Sequence, residues 1–381
     1  MNFGFSEEQE MLRESAQRFL QAECSPSFVR KMIEDDTGHS TELWKKLAEL
    51  GWLGVLIPEQ LGGMGGRFLD ASLILEEMGK ALLPGPFLAT VAFAGVALAA
   101  AGSAAQRNEF LPRIADGSVV LSLALSEEGD RYDAPGIAMA AKRKGAEYVL
   151  RGDKRFVLDA AVADWILVAA RTAAATRSQP THGVSLFLVE RGAPGMEITA
   201  LPMVDGTRRQ ANVSFDRVVV PAKRLVGGLH RGWGPVARAL QVATTALSID
   251  TVGVAQRALD LSVDYAKQRT QFGKPIGAFQ AVKHKCVDMM VAVENARSLG
   301  YYAAWAVDER NREAPRAVAM AKAYASDIGK SVTGDAIQVH GGIGYTWEHD
   351  IQLYYRRALA NEAMFGSAPL HREAVARLLR L

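Results

Sequence analysis

The chain has 381 residues, 49% of them hydrophobic and 23% charged, with a formal net charge of +2. That is an ordinary balance for a globular protein able to bury a sizeable core in two or three domains, and it excludes a disordered chain. The near-neutral charge and the lack of any Lys/Arg-rich run give no electrostatic basis for nucleic-acid binding, and two cysteines, Cys24 and Cys286, make neither a disulfide framework nor a metal site.

Residues 1–10 carry Glu7, Glu8 and Glu10 and no apolar run, so they do not read as a secretory leader. Ser6 followed by Gln9 is a capping box, with acidic residues where the helix dipole favours them. Met11, Leu12, Ala16, Phe19 and Leu20 then recur at helical spacing. Leu43, Leu47, Leu50 and Trp52 imply a second helix, closed by a Gly/Pro region over residues 54–66. Further helical patterns cover 69–82 and 90–111. The most apolar stretch, 87–105, is rich in Ala and Gly, which predicts a packed small-residue helix and not a membrane span. The expected compartment is cytoplasmic.

From residue 119 the period changes. Short β-rich runs at 119–126, 148–150, 155–158, 165–171, 184–190 and 212–220 are separated by Gly, Asp and Pro signals, as in an antiparallel barrel or sandwich. Arg151-Gly152-Asp153-Lys154 reads as a hairpin turn, 172–183 as a long polar loop, and Pro221 closes the β region. After Gly232 the helical period returns and persists; Cys286, Met289, Met290, Val293 and Ala296 share one face, a core-packing stripe. The expected fold class is multi-domain α+β. It comprises an N-terminal helical domain over 1–118, a middle antiparallel β-barrel or sandwich domain over 119–225, and a C-terminal four-helix-bundle domain over 226–381.

The specific signal lies in the C-terminal half. Gly253-Val254-Ala255-Gln256-Arg257-Ala258-Leu259 leads to Gln268-Arg269-Thr270-Gln271-Phe272-Gly273-Lys274-Pro275-Ile276 and Phe279-Gln280, and later to Gln338-Val339-His340-Gly341-Gly342-Ile343-Gly344-Tyr345. A guanidinium such as that of Arg269 can clamp a pyrophosphate, Phe272 can pack on an adenine or ribose, and Gly341 and Gly342 let a backbone approach a ligand closely. The bland alternative makes Arg269 a surface ion-pair residue and the glycines a helix end. No GxGxxG opens a βαβ unit, and Gly62-Gly63-Met64-Gly65-Gly66 lacks the Lys-Ser/Thr of a phosphate loop.

With both motifs in register, the chain resembles the acyl-CoA dehydrogenase family over nearly its whole length, including Pro58-Glu59-Gln60-Leu61-Gly62-Gly63 and Gly152-Asp153-Lys154-Arg155-Phe156-Val157. The resemblance implies FAD as cofactor and α,β-dehydrogenation of an acyl-CoA thioester. It implies cofactor contacts from Ser126, Arg269, Phe272, Gln280, Gln338, Gly341 and Gly342, with the Arg269–Gly273 and Gln338–Gly342 motifs reaching across a dimer interface to a neighbour's FAD. It also implies a homo- or heterotetramer of dehydrogenase chains and electron-transferring flavoprotein as oxidant.

The departures from the family pattern are as informative. The family base is a carboxylate at one of two positions, occupied here by Phe365 and by Ala243. The Thr-Glu-Pro and Gly-Ser-Asp ends of a family loop become Ser126-Glu127-Glu128 and Arg131-Tyr132-Asp133. A Trp-Ile-Thr/Ser element becomes Phe156-Val157-Leu158, and Pro369 stands where a Gln often contacts cofactor. Motifs given to a neighbour's FAD thus survive, while those serving the chain's own flavin and base are eroded.

Three functions follow as alternatives: a subunit completing a partner's FAD site, a homomeric dehydrogenase with a displaced base, or a flavin-free scaffold or binding protein. For the second, Asp250 is the candidate base, seven residues beyond Ala243. At ~1.5 Å rise per residue it sits about 10 Å further along a helix, a long reach for an aspartate. Its alternative role is an interior hydrogen-bonded carboxylate, and Glu362 reads as a solvated helix charge beside Arg356 and Arg357.

Overall fold

The computed structural model describes residues 4–381; residues 1–3, where the N-terminal stretch begins, lie outside them. In chain order the elements are α1 (Glu7–Glu23), α2 (Pro26–Glu34), α3 (Thr41–Glu49), α4 (Phe68–Lys80), α5 (Gly95–Ala101) and α6 (Ala104–Ala115). Then come β1 (Leu121–Ala124), β2 (Ala140–Lys144), β3 (Glu147–Leu158), β4 (Trp165–Arg171), β5 (Val184–Glu190), β6 (Met196–Ala200), β7 (Gln210–Pro221) and β8 (Leu225–Val226). The chain finishes with α7 (Trp233–Gln268), a hairpin of β9 (Thr270–Gln271) and β10 (Lys274–Pro275), α8 (Gln280–Asp308), α9 (Ala314–His340), α10 (Ile351–Ala363) and α11 (Ala368–Leu379).

The capping box at Ser6 forms: its hydroxyl accepts from the Gln9 amide at 3.2 Å, and Gln9 Oε1 accepts from the Ser6 amide at 3.1 Å. A second box at Ser103 and Gln106 splits the single helix expected over 90–111. The chain there runs as a π-helical turn over Leu88–Ala94, then α5, a break at Gly102, and α6. Helical periodicity continues through such a break because both pieces face one core.

The chain divides into two compact units. One holds residues 1–31, 68–83 and 244–381. In it α1 packs on α4, α4 on α8, and α9 on α8, α10 and α11. The expected four-helix set is thus extended, among the described residues, by α11 lying on α9. At the crossing of α4 and α7 a Cβ on Gly253 would lie 2.0 Å from the Glu76 carbonyl oxygen, and one on Gly79 would lie 2.2 Å from that of Asp250. The glycine that opens the Gly253–Leu259 motif therefore serves close helix contact.

The other unit holds residues 32–67 and 84–243. Its sheet runs β6-β7-β3-β2-β4-β5-β8, with β1 beside β4. Most pairings are antiparallel, as expected, but β1 and β2 pair parallel to β4. The hairpin turn expected at 151–154 is not a turn: those residues lie inside β3, and the chain reverses instead at Gly145-Ala146, between Lys144 and Glu147. Gly152, at φ +141°, marks a register shift against β7, which is the other use of a strand glycine. Among the described residues no helix is long and apolar enough to cross a membrane.

Candidate functional site

In the helical unit the structure brings both sequence motifs to one locality through an aromatic stack. Tyr265, in the last turn of α7, stacks on His340 at the end of α9, with ring centroids 4.6 Å apart. The His349 ring lies 4.5 Å from that of His340, centroid to centroid. His340 is buried and donates Nδ1–H to the Ala336 carbonyl at 2.7 Å. Burial holds its pKa below the ordinary histidine value, so the ring is a neutral packing element. None of these three rings was singled out from sequence, although Tyr265 and His340 sit inside or beside the motifs.

Four residues beyond Tyr265, Arg269 enters the β9–β10 hairpin, and its side chain is exposed. Its backbone is fixed at both ends: the amide donates to Tyr265 O and the carbonyl accepts from Ile276 N, each at 2.8 Å. The turn residues Phe272 and Gly273 have φ of +50° and +77°, a primed two-residue turn. Glycine suits that conformation; phenylalanine is strained in it by about 1–2 kcal/mol. Phe272 is nonetheless 92% exposed, its ring edge-on to that of Phe279 at a centroid distance of 6.1 Å. Gln280 opens α8 beside the hairpin and is exposed as well.

On the α9 side Gln338 is exposed, and its carbonyl accepts from the Gly341 amide. Gly341 has φ +62° and ψ −141°, a conformation open to glycine alone. Gly342 differs: its φ is not positive, and a Cβ there would meet nothing within 4 Å. No neighbour in the chain demands a glycine at 342. The exposed arginine, the exposed ring and the bare glycine backbone are each of a chemistry suited to an anionic, planar group.

In the β-rich unit Ser126 is buried, and its hydroxyl has no hydrogen-bond partner. Its carbonyl accepts from Arg155 N at 2.9 Å, which ties it to β3. Beside it Lys154, fully buried, donates to Glu127 Oε1 at 2.6 Å and to the Leu125 carbonyl at 3.1 Å. Burial drives the Lys154 pKa down to about 8 against the pull of Glu127. Glu127 also accepts from the amides of Ala138 and Met139, so this ion pair staples the segment after Ser126 to the sheet. Sequence reasoning missed the pair because it requires residues 27 apart to meet across a bulge. At that bulge Phe156 takes φ +53° and remains partly exposed, a second strained aromatic.

At the two positions where the resemblance places a base, Ala243 and Phe365 are both buried and neither is an acid. Phe365, at φ +56°, lies in the turn between α10 and α11. Asp250 is an interior carboxylate. Arg357 donates to its two oxygens at 2.9 and 3.1 Å, and Asn361 Nδ2 donates at 2.6 Å. Arg357 is 1% exposed, so it points inward and does not flank Glu362 at the surface as expected. Glu362 itself is half-buried.

Family models for the acyl-CoA dehydrogenase N-terminal, middle and C-terminal domains match residues 6–118, 122–218 and 230–379. The chain belongs to the acyl-CoA dehydrogenase family. A probable acyl-CoA dehydrogenase of Bacillus subtilis is 33% identical over 384 residues, covering 100% of both chains. The caffeyl-CoA reductase–Etf complex subunit CarC of Acetobacterium woodii is 32% identical over 356 residues, covering 92% of this chain and 93% of that one. The crystal structure of acyl-CoA dehydrogenase from Geobacillus kaustophilus superposes with a TM-score of 0.93 at 28% identity, covering 100% of both. The chain is thus an oxidoreductase of the class acting on CH–CH groups, its cofactor is FAD, and its reaction is the dehydrogenation of an acyl-CoA thioester. An orphaned hydroxyl at Ser126 and a glycine backbone open at Gly341 and Gly342 are features that such a cofactor fits.

Proposed function

We propose that this chain takes part in acyl-CoA dehydrogenation as one half of an assembly of unlike dehydrogenase chains, completing the FAD site of a partner that carries the catalytic base. The observation that carries the reading is the contrast between two regions of the helical unit. The Arg269–Gly273 hairpin and the Gly341-Gly342 turn are presented outward, with a strained ring exposed, while position 365 holds a buried phenylalanine unable to accept a proton.

FAD, when bound, supplies the acceptor for the hydride leaving the thioester. For this chain's own residues we infer simpler tasks. Arg269 pairs with the pyrophosphate, Phe272 packs on the adenosine, and the backbone at Gly341 and Gly342 lies against it, with Gln280 and Gln338 as polar contacts. Asp250 is a poor candidate for displaced base, because both its oxygens already accept from Arg357 or Asn361 in the interior. A flavin-free scaffold has no use for a strained exposed phenylalanine. By likeness to its family we further infer a tetramer, electron-transferring flavoprotein as oxidant, and a cytoplasmic location.

The test is the visible spectrum of the purified chain and of the chain co-expressed with a base-bearing dehydrogenase partner, with FAD counted per polypeptide. Little flavin alone and FAD recovered in the complex supports the reading; near-full occupancy of the chain by itself sinks it.

A further inference from the structure

A cavity of about 300 Å³ lies within the helical unit, among α1, the start of α2, the end of α4, α7 and α10. Its floor is apolar, with Leu20, Val29, Leu82 and Leu353 all buried. Gln17 and Gln21, one turn apart on α1, line its exposed side. The lining also carries charge, most of it already matched. Lys80 Nζ donates to Glu77 Oε1 at 2.7 Å, Arg30 Nε donates to Asp350 Oδ1 at 2.9 Å, and the Tyr354 hydroxyl donates to the Lys80 carbonyl at 3.0 Å. Two groups are left over. Arg257 and Asp260 lie three residues apart on α7, a spacing that puts side chains on one helix face within reach of an ion pair. They do not form one. Asp260 accepts from Gln256 Nε2 at 2.7 Å, Arg257 lies against the Tyr354 hydroxyl, and among the described residues neither has an ion-pair partner. Glu77, 4% exposed, likewise has its second oxygen without a partner among the described residues. None of the residues assigned above to the cofactor lines this cavity.

We propose that this cavity binds a zwitterionic α-amino acid with an apolar side chain. Such a molecule carries a carboxylate and an ammonium on one carbon, and Arg257 and Asp260 offer opposite charges one helical turn apart. The planar guanidinium pairs with the carboxylate through two parallel N–H···O bonds. Asp260 and the unpaired Glu77 oxygen accept from the ammonium, and the four buried aliphatic residues of the floor cover the side chain. Size and charge agree with this. The volume stands at the lower end of the range for small-molecule sites. The acids Glu77, Asp260 and Asp350 are matched in number by Lys80, Arg257 and Arg30, so a ligand without net charge leaves the balance undisturbed. A plain carboxylate of the same shape meets Asp260 and Glu77 as like charges, and a plain amine meets Arg257 in the same way. Each half of the zwitterion alone is therefore disfavoured by repulsion as well as by a missing contact.

Calorimetric titration of the full chain tests the assignment, and it needs neither flavin nor turnover. The probes are leucine, valine and methionine, with isocaproate and isopentylamine as the leucine skeleton lacking the ammonium or the carboxylate. We expect at least one of the three amino acids to bind once per chain with a submillimolar Kd. Each half-ligand binds about ten- to a hundredfold more weakly than leucine, the range of a charge-assisted hydrogen bond. In Arg257→Gln leucine binds no better than isopentylamine, and in Asp260→Asn no better than isocaproate. The proposal is overturned if no amino acid of the three binds with a Kd below about 1 mM. Half-ligands that bind as well as leucine, or an affinity for leucine that neither substitution lowers, overturn it equally. Should Arg257→Gln fail to fold, Asp260→Asn decides, since that position is half-buried and the asparagine oxygen still accepts from Gln256.

Discussion

Tyr265 and His340 stack with their ring planes 26° apart, and through that contact two motifs separated by about seventy residues of sequence share one surface. Arg269 follows Tyr265 by four residues and Gly341 follows His340 by one. The stack fixes where the hairpin stands against the end of α9, so the pairing of the motifs is a packing outcome. Burial lowers the pKa of the His340 ring, which is hydrogen-bonded to its own helix, so the contact is one of packing.

Phe272→Gly separates stability from cofactor binding. Removing the left-handed strain raises chain stability by about 1 kcal/mol, while the assembled enzyme retains less FAD. Thermal melting and flavin content measure the two effects; a fall in both makes Phe272 a folding residue.

Ser126→Ala acts on the other side. Its hydroxyl is buried without a partner, and relieving that raises stability by about 1 kcal/mol or more. If the chain lends its contacts to a partner's FAD, the flavin content of the complex stays unchanged in this variant. Loss of flavin here, with none in Phe272→Gly, returns the chain to a homomeric catalyst.

Asp250→Asn leaves the Arg357 guanidinium buried without its carboxylate, and destabilisation by about 3–5 kcal/mol is expected. Pairing it with Arg357→Met recovers much of that loss, since no lone charge remains. Turnover per folded complex is unaltered in the double variant. A specific collapse of turnover there would instead identify Asp250 as the base.

The Lys154 pair gives the β-rich unit a pH signature. Folding lowers the Lys154 pKa from 10.5 to about 8, so its contribution to stability is complete above pH 10.5 and is lost as pH falls through about 8. Between these values stability rises with pH by up to about 1.4 kcal/mol per unit. Melting temperatures at pH 8 and pH 10 should therefore diverge more in the unaltered protein than in Lys154→Met. Equal differences in the two proteins would remove Lys154 as the source.

Much of this was legible beforehand where the signal is local. Capping at Ser6, the switch from helical to alternating period near residue 119, and the motifs around Arg269 and Gly341 each depend on neighbours within a few residues. The turn at 151–154 misled because glycine beside aspartate serves a bulge as readily as a hairpin, and only pairing with β7 decides between them. The break at Gly102 was masked by apolar residues that satisfy both flanking helices.

The sequence by itself determined the family, the order of the helical and β-rich parts, and the absence of a carboxylate at residues 243 and 365, because each is written in residue identity and short-range period. Only the tertiary structure decided what Asp250 does, since its meaning rests on Arg357, 107 residues away, and on enclosure that removes water from both. The same holds for Lys154 and Phe272. A lysine is an ordinary surface charge until burial shifts its proton equilibrium, and a phenylalanine is an ordinary core residue until the fold leaves it strained and exposed.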